Sequence, residues 1–151
     1  MSKFRVGNFK DDLKLGQLIE NLAIDRIIIN YPVELLNKND DYKYDFVMDD
    51  NTKYEVKFDR KSFITKNIYI ENMAFGKLSG INKTQADYYI IVVPQSQSEV
   101  YNLYNLDFYL ISVSKLKNLI QEEKYKYINT SQPCNGYIFH IDVIKTNSIM
   151  L

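Results

Sequence analysis

Hydrophobic positions along this chain switch between a helical period and a strand period. Leu13, Leu15, Leu18, Ile19, Leu22 and Ala23 recur at helical spacing, with Asp11 and Asp12 placed to cap or complement the N-terminus. That predicts a helix of about three to four turns. Ile27, Ile28 and Ile29 are β-branched and run up to Pro32, which predicts a short extended segment. Tyr44 to Met48 reads as a strand, Asp49-Asp50-Asn51 as a turn, and Lys53 to Phe58 as the second strand of a hairpin.

Asn67 to Glu71 predicts a third strand, and Ser79 to Asn82 breaks the pattern. Lys83 to Ala86 predicts a short helix. Asp87 to Val93 is an almost continuous apolar run ending at Pro94, as suits a strand buried on both faces. Leu106 to Ile111 is a further strand. Ser112 then caps a helix to about Glu123, with Val113, Leu116, Leu119 and Ile120 on one side. Gly136 to Ile144 reads as a last strand. This order predicts an α/β fold, a mixed central sheet flanked by helices.

The 151 residues fit a single domain, 1–151, with 46% hydrophobic and 25% charged positions as in ordinary globular proteins. The net charge is zero, which excludes a polybasic binder. The zero hides an asymmetry: residues 11–50 carry ten acids and four bases, residues 53–83 seven bases and three acids. A local basic face is the footprint of phosphate binding. The usage of Lys, Asn, Ile and Tyr, with three Arg and no Trp, points to an AT-rich genome, bacterial or viral.

One cysteine, Cys134, allows no internal disulfide and suggests a reducing compartment. With His140 it falls short of a zinc set. The start, Met1-Ser-Lys-Phe-Arg-Val, lacks a signal-peptide core, and no apolar run reaches the ~20 residues of a membrane span. The expectation is a cytoplasmic protein, of a bacterium or of a virus-infected host cell, with no membrane partner.

The sharpest chemistry lies in Asp45 and Glu55-Val56-Lys57. Alternation puts Glu55 and Lys57 on one strand face, about 7 Å apart. A hairpin brings Asp45 beside Glu55. Two close carboxylates repel, and a hard divalent cation relieves the repulsion. Asp45, Glu55 and the Val56 carbonyl are candidate ligands of Mg²⁺ or Mn²⁺. Lys57 is placed to orient or deprotonate water, or to neutralise a pentavalent phosphate. Glu-x-Lys alone is common as a surface salt bridge. The upstream Asp, the hairpin spacing and the flanking apolar residues favour metal-assisted phosphodiester hydrolysis.

This pattern resembles the PD-(D/E)xK nuclease superfamily, which includes restriction endonucleases, archaeal Holliday-junction resolvases and phage recombination nucleases. Its motif is an Asp at the start of the second core strand, then Glu or Asp, any residue, and Lys on the third. Asp45, Glu55 and Lys57 match, while Tyr44 stands where the motif often has proline. Members often carry an acid on the N-terminal helix that joins the metal site, and Glu20 occupies that place. Thr65 to Glu71, and Ser79-Gly80-Ile81 through Thr84-Gln85-Ala86-Asp87-Tyr88-Tyr89, resemble a subgroup common in phages and large DNA viruses. The similarity covers about residues 16–94.

The resemblance implies a restriction-endonuclease-like core, an Mg²⁺-dependent deoxyribonuclease acting on DNA, possible preference for branched or structured substrates, and a homodimer, since two cuts need two sites. Catalysis falls to Asp45, Glu55, Lys57 and Glu20. Glu71 is a possible support or a rim salt-bridge residue, and Asp87 a structural cap. Lys61, Lys66, Lys77 and Lys83 are candidate phosphate contacts. Tyr42, Tyr44, Tyr54, Tyr69, Tyr88 and Tyr89 interleave with them, as base-stacking or packing groups. No glycine-rich phosphate loop exists, so no nucleotide cofactor is expected. An RNA-directed nuclease on the same site, or a non-catalytic nucleic-acid-binding or assembly module, are the alternatives.

Overall fold

A computed structural model describes the backbone of residues 3–5, 9–39, 43–96, 100–102 and 105–151. Tyr42, among the tyrosines singled out above, lies outside the described residues. In chain order the elements begin β1 (Lys3–Arg5), α1 (Phe9–Asn30), β2 (Leu35–Lys38), β3 (Phe46–Met48), β4 (Lys53–Phe58), α2 (Ser62–Thr65), β5 (Asn67–Ala74) and β6 (Lys77–Leu78). A 3₁₀ turn over Gly80–Asn82 leads to β7 (Tyr88–Pro94), β8 (Val100–Asn102), β9 (Leu106–Ser112) and α3 (Val113–Gln121). The chain ends with β10 (Tyr127–Asn129), β11 (Cys134–His140), α4 (Ile141–Thr146) and β12 (Ile149–Met150).

The main sheet has six strands in the order β12-β9-β7-β4-β3-β2. It is mixed: β4 runs parallel to β7, and the other neighbours are antiparallel. The α/β expectation therefore holds at the level of a mixed sheet flanked by helices. A second sheet, β10-β11-β5-β6, packs on one face. On the other face lies α1, with Leu15, Ile19, Ala23 and Ile27 set against Phe46, Tyr54, Ile90 and Val92. Tyr89, Ile91 and Val93 point from β7 into the second core with Ile68, Ile70, Leu116 and Phe139. The apolar run of β7 is thus buried on both faces, as its composition implied.

Four expectations are corrected. Ile27 to Ile29 are helical, because the i, i+4 series Leu15, Ile19, Ala23, Ile27 continues through them, each no more than 1% exposed. A sustained apolar face outweighs the β-preference of three residues. The helix stops at Asn30, since Tyr31 precedes Pro32. Its start at Phe9 puts Asp11 and Asp12 in the first turn, the complementing one of the two places read for them.

The third strand, β5, joins the second sheet rather than the one that holds β3 and β4, and β7 takes the place beside β4. The turn that redirects the chain is built on Asp59. Its Oδ2 accepts the Tyr69 N–H at 3.0 Å, and its carbonyl accepts the hydroxyl of the fully buried Ser62 at 2.8 Å. Burial raises the Asp59 pKa, opposed by the backbone N–H groups it accepts.

Lys83 to Ala86 is not a helix. Thr84 Oγ1 accepts the Ala86 N–H and donates to the Lys43 carbonyl, and the Gln85 N–H goes to the same carbonyl. Local side-chain bonds outcompete the helical ladder there. The last strand ends at His140, whose Nδ1 accepts the Asp142 N–H at 3.1 Å and caps α4. By contrast, Ser112 caps α3 as read, accepting the Lys115 N–H at 3.0 Å.

Candidate active site

The hairpin ladder of β3 and β4 is short, pairing Phe46 with Tyr54 and Val47 with Lys53. Asp45 extends it. Its N–H donates to the Tyr54 carbonyl at 2.8 Å, and its Oδ2 accepts the Val56 N–H at 2.6 Å. The carboxylate therefore stands in for a strand partner at the edge of β4. Tyr54 is buried and stacked on Phe46 at 5.0 Å and on Tyr88 at 5.8 Å, which fixes β4 under this edge.

Burial, followed by the negative charge of Glu55, pushes the Asp45 carboxyl up to about 7 from the ordinary 3.8. Glu20 adds to the rise; the Val56 N–H and Lys57 oppose it. All three acids named from the sequence thus share one field. Glu20, on α1, is bridged by Lys38 of β2 at 3.3 Å, and Lys38 also reaches Asn21 Oδ1 at 3.0 Å. Glu55 is bridged by Lys57 at 2.8 Å, with the carboxylate the better buried of the two. The Lys57 ammonium lies 5.9 Å from the centroid of the buried Tyr89 ring.

Two clefts flank β4. One, of about 320 Å³, opens between α1 and β4 and is lined by Asp12, Gly16, Glu20, Asp45, Val56 and Phe58. The other, of about 650 Å³, lies between β4 and the second sheet, with Lys57, Phe58, Asp59, Lys61, Tyr69 and Tyr127 among its walls. Phe58 borders both. The first is acidic and the second basic and aromatic. A further depression of about 660 Å³ around Asp50, Asp87, Ser112 and Lys117 contains none of the acids of the site.

Glu71 lies on β5, in the second sheet, opposite Gly136. It accepts the Cys134 thiol, which raises that thiol's pKa. Its charge also reaches the Tyr89 hydroxyl, raised first by burial and then by Glu55, with Glu71 and Asp45 adding. Asp87 is structural: its Oδ2 accepts the Lys53 N–H at 2.9 Å, and its carbonyl the Val113 N–H.

The four lysines divide. Lys61 lines the larger cleft. Lys66 follows α2 in left-handed conformation (φ 58) with its ammonium 4.6 Å from the Phe63 centroid, beside a separate depression. Lys77 and Lys83 are exposed and line neither cleft. Of the tyrosines, Tyr54 and Tyr89 are core, and Tyr44 carries Lys53 5.3 Å from its centroid. Lys38 and Tyr127 escaped the sequence reading. Both lie on short exposed strands whose pattern gives no signal.

Among the described residues, no three His, Cys, Asp or Glu side chains converge as a ready-made metal cage. The donor set fits a magnesium-type ion instead, held by one or two carboxylates with water and substrate oxygens. A carboxyl pushed up to about 7 by burial, and further by the charges of Glu55 and Glu20, is one that such an ion would return to its ionised form. No helix among the described residues is long and apolar enough to cross a membrane.

No protein-family model, curated protein or solved structure matches this chain.

Proposed function

We propose that this chain is a divalent-metal-dependent endonuclease that hydrolyses phosphodiester bonds in DNA, with a restriction-endonuclease-like core of the PD-(D/E)xK kind. One observation carries the reading. Asp45, fixed by the Val56 N–H, shares its field with Glu55 and Glu20 at the mouth of a cleft, beside the Lys57–Glu55 pair. The parallel β4–β7 pair and the β3–β4 hairpin support the core assignment. β5 in a separate sheet is this chain's own departure from a simple meander.

Asp45 and Glu55, with the Val56 carbonyl, would hold Mg²⁺ or Mn²⁺, which would supply Lewis acidity at a phosphoryl oxygen and a more acidic water, while Glu20, bridged to Lys38, would add its charge at the margin of the site. The Val56 N–H fixes the Asp45 carboxylate against rotation. Glu55 holds the Lys57 ammonium at the wall of the larger cleft, where it orients the attacking water or meets charge developing on the phosphate. Lys61 offers a phosphate contact in the larger cleft. A homodimer in the cytoplasm belongs to the same reading, and sedimentation velocity measures the first.

The test is a cleavage panel of supercoiled plasmid, linear duplex, branched junction, single strand and matched RNA, in Mg²⁺, Mn²⁺ and EDTA. DNA should be cut only with metal, and Asp45→Asn, Glu55→Gln and Lys57→Ala should each abolish or severely reduce cutting while the fold persists. Wild-type rates in all three folded variants would remove the site. Preferential cutting of RNA would move the activity to RNA. Mn²⁺ binding without cleavage of any substrate would leave a binding module.

A further inference from the structure

The larger cleft has a wall that the cleavage chemistry does not use. Tyr127 of β10 pairs with Ile138 of β11, and Ile138 pairs with Tyr69 of β5. Residues directly opposite one another across a sheet project from the same face. Tyr69, Ile138 and Tyr127 therefore form a cross-strand row, and all three line the cleft. The Tyr127 ring is half-exposed at 52%, while Ile138 beneath it is buried. Lys57 and Ile91 of the main sheet line the same cleft, as does Lys61. Thr65, Asn67 and Asn129 add polar side chains to the lining, and Arg60 and Asp59 a charge of each sign.

The combination is selective. An exposed aromatic ring on a sheet, with amides and lysines lining the same cleft, is what an unpaired nucleotide requires: a stacking platform, hydrogen-bond partners for a base edge, and cations for the phosphate. A purely phosphate-binding surface has no use for the ring, and a duplex keeps its base faces covered by stacking. The cleft volume, about 650 Å³, is in the range of pockets that enclose one small ligand. Lys57, which lines this cleft, is bridged to Glu55 at 2.8 Å, so a nucleotide seated here lies beside that acid of the site.

We propose that the cleft between β4 and the second sheet binds an unpaired nucleotide adjoining the scissile phosphate, with Tyr127 as the stacking platform and Lys61 as a phosphate contact. This rests on the nuclease reading and deepens it. The preferred substrate is a nucleic acid with single-stranded character at the cut, such as a gap, bulge, flap or single strand.

The experiment is binding in EDTA, which separates recognition from cleavage. The probes are a dT-rich decamer with one central 2-aminopurine, and the same oligonucleotide annealed to its complement. The single strand should bind more tightly than the duplex, with 2-aminopurine fluorescence quenched on stacking. Tyr127→Ala should weaken single-strand binding roughly tenfold and abolish the quench, while Tyr127→Phe retains both. Lys61→Ala should weaken binding and lower the salt slope by about one without removing the quench.

A Tyr127→Ala protein that binds and quenches like wild type, a preference for the duplex, or no binding of either probe overturns the proposal. The nuclease reading is scored separately in Mg²⁺. Metal-dependent cutting of perfect duplex that is insensitive to Tyr127 rejects the cleft and keeps the nuclease. Tyr127-dependent quenching with no cleavage of any substrate keeps the cleft and rejects the nuclease.

Discussion

The Asp45 carboxylate accepts the backbone N–H of Val56 at 2.6 Å, one residue along β4 from Glu55. A single side chain thus completes the edge of a strand and brings its charge beside a second acid. The two roles oppose each other. The hydrogen bond favours the ionised carboxylate, whereas burial and the charges of Glu55 and Glu20 disfavour it, and the latter win.

That balance predicts how metal-free stability depends on pH. The folded protein holds the Asp45 proton up to about pH 7, the unfolded chain only to about 3.8. The stabilisation from the neutral carboxyl is fully present below the unfolded value and is lost as pH rises through about 7. At 1.36 kcal/mol per pH unit of displacement, this amounts to on the order of 4 kcal/mol. Asp45→Asn keeps an acceptor for Val56 and removes the charge. In EDTA it should melt higher than wild type at pH 8 and show a flatter profile between pH 4 and 7. Added Mn²⁺ should raise the melting temperature of wild type and not of the variant. A variant that unfolds at pH 8 would instead make Asp45 a structural acid.

The helical reading of Ile27 to Ile29 has its own test. In α1, Ile27 is fully buried and Ile29 is 77% exposed. Ile27→Ala should cost about 2–5 kcal/mol, and Ile29→Ala should stay within about 0.5 kcal/mol of wild type. Were the segment a strand, the two residues would share a face and respond alike. Urea midpoints of the two variants decide.

Gly80 is required for a different reason. Its φ is +51, and a Cβ there would collide with the Glu71 carbonyl oxygen. Gly76 has φ +73 but open space around it. Gly80→Ala should therefore destabilise by roughly 2–4 kcal/mol, combining left-handed strain with overpacking against β5. Gly76→Ala should cost only the strain, about 1–2 kcal/mol. Denaturation of both variants under one condition checks the difference.

What could be read from the chain follows from how locally each feature is encoded. β4 and β7, the Ser112 cap and the apolar face of α3 were legible because alternation, an apolar run and a capping serine each act within a few residues. The grouping of Asp45, Glu55 and Lys57 was legible because a hairpin makes sequence neighbours into spatial ones. Departure of β5 to another sheet was not, since it depends on Asp59 reaching the Tyr69 N–H across a turn. Nor was α4, where Ile141, Val143 and Ile144 fit either period and His140 is an unusual cap. Lys38 and Tyr127 reach the site from exposed three- and four-residue strands, placed there by pairing rather than by pattern.

The basic stretch gives the last prediction. Lys61, Lys66, Lys77 and Lys83 are close in sequence, but the fold disperses them: one in the cleft wall, one after α2, one on β6 and one after the 3₁₀ turn. Phosphate contacts are sequence-independent, and each releases about one counterion. Lys66→Ala, Lys77→Ala and Lys83→Ala should therefore each weaken DNA binding about equally for every sequence. Each should also flatten the plot of log affinity against log salt by about one. Lys66 is the most sensitive to substitution, because its contact with the Phe63 ring is lost with its charge. Its melting temperature must accompany its binding curve, so that a shifted fold is not scored as a lost contact. Fluorescence anisotropy at four salt concentrations measures the slopes. If all three variants keep the wild-type slope, these lysines form a solvated surface, and the DNA path is confined to the cleft wall where Lys57 and Lys61 stand.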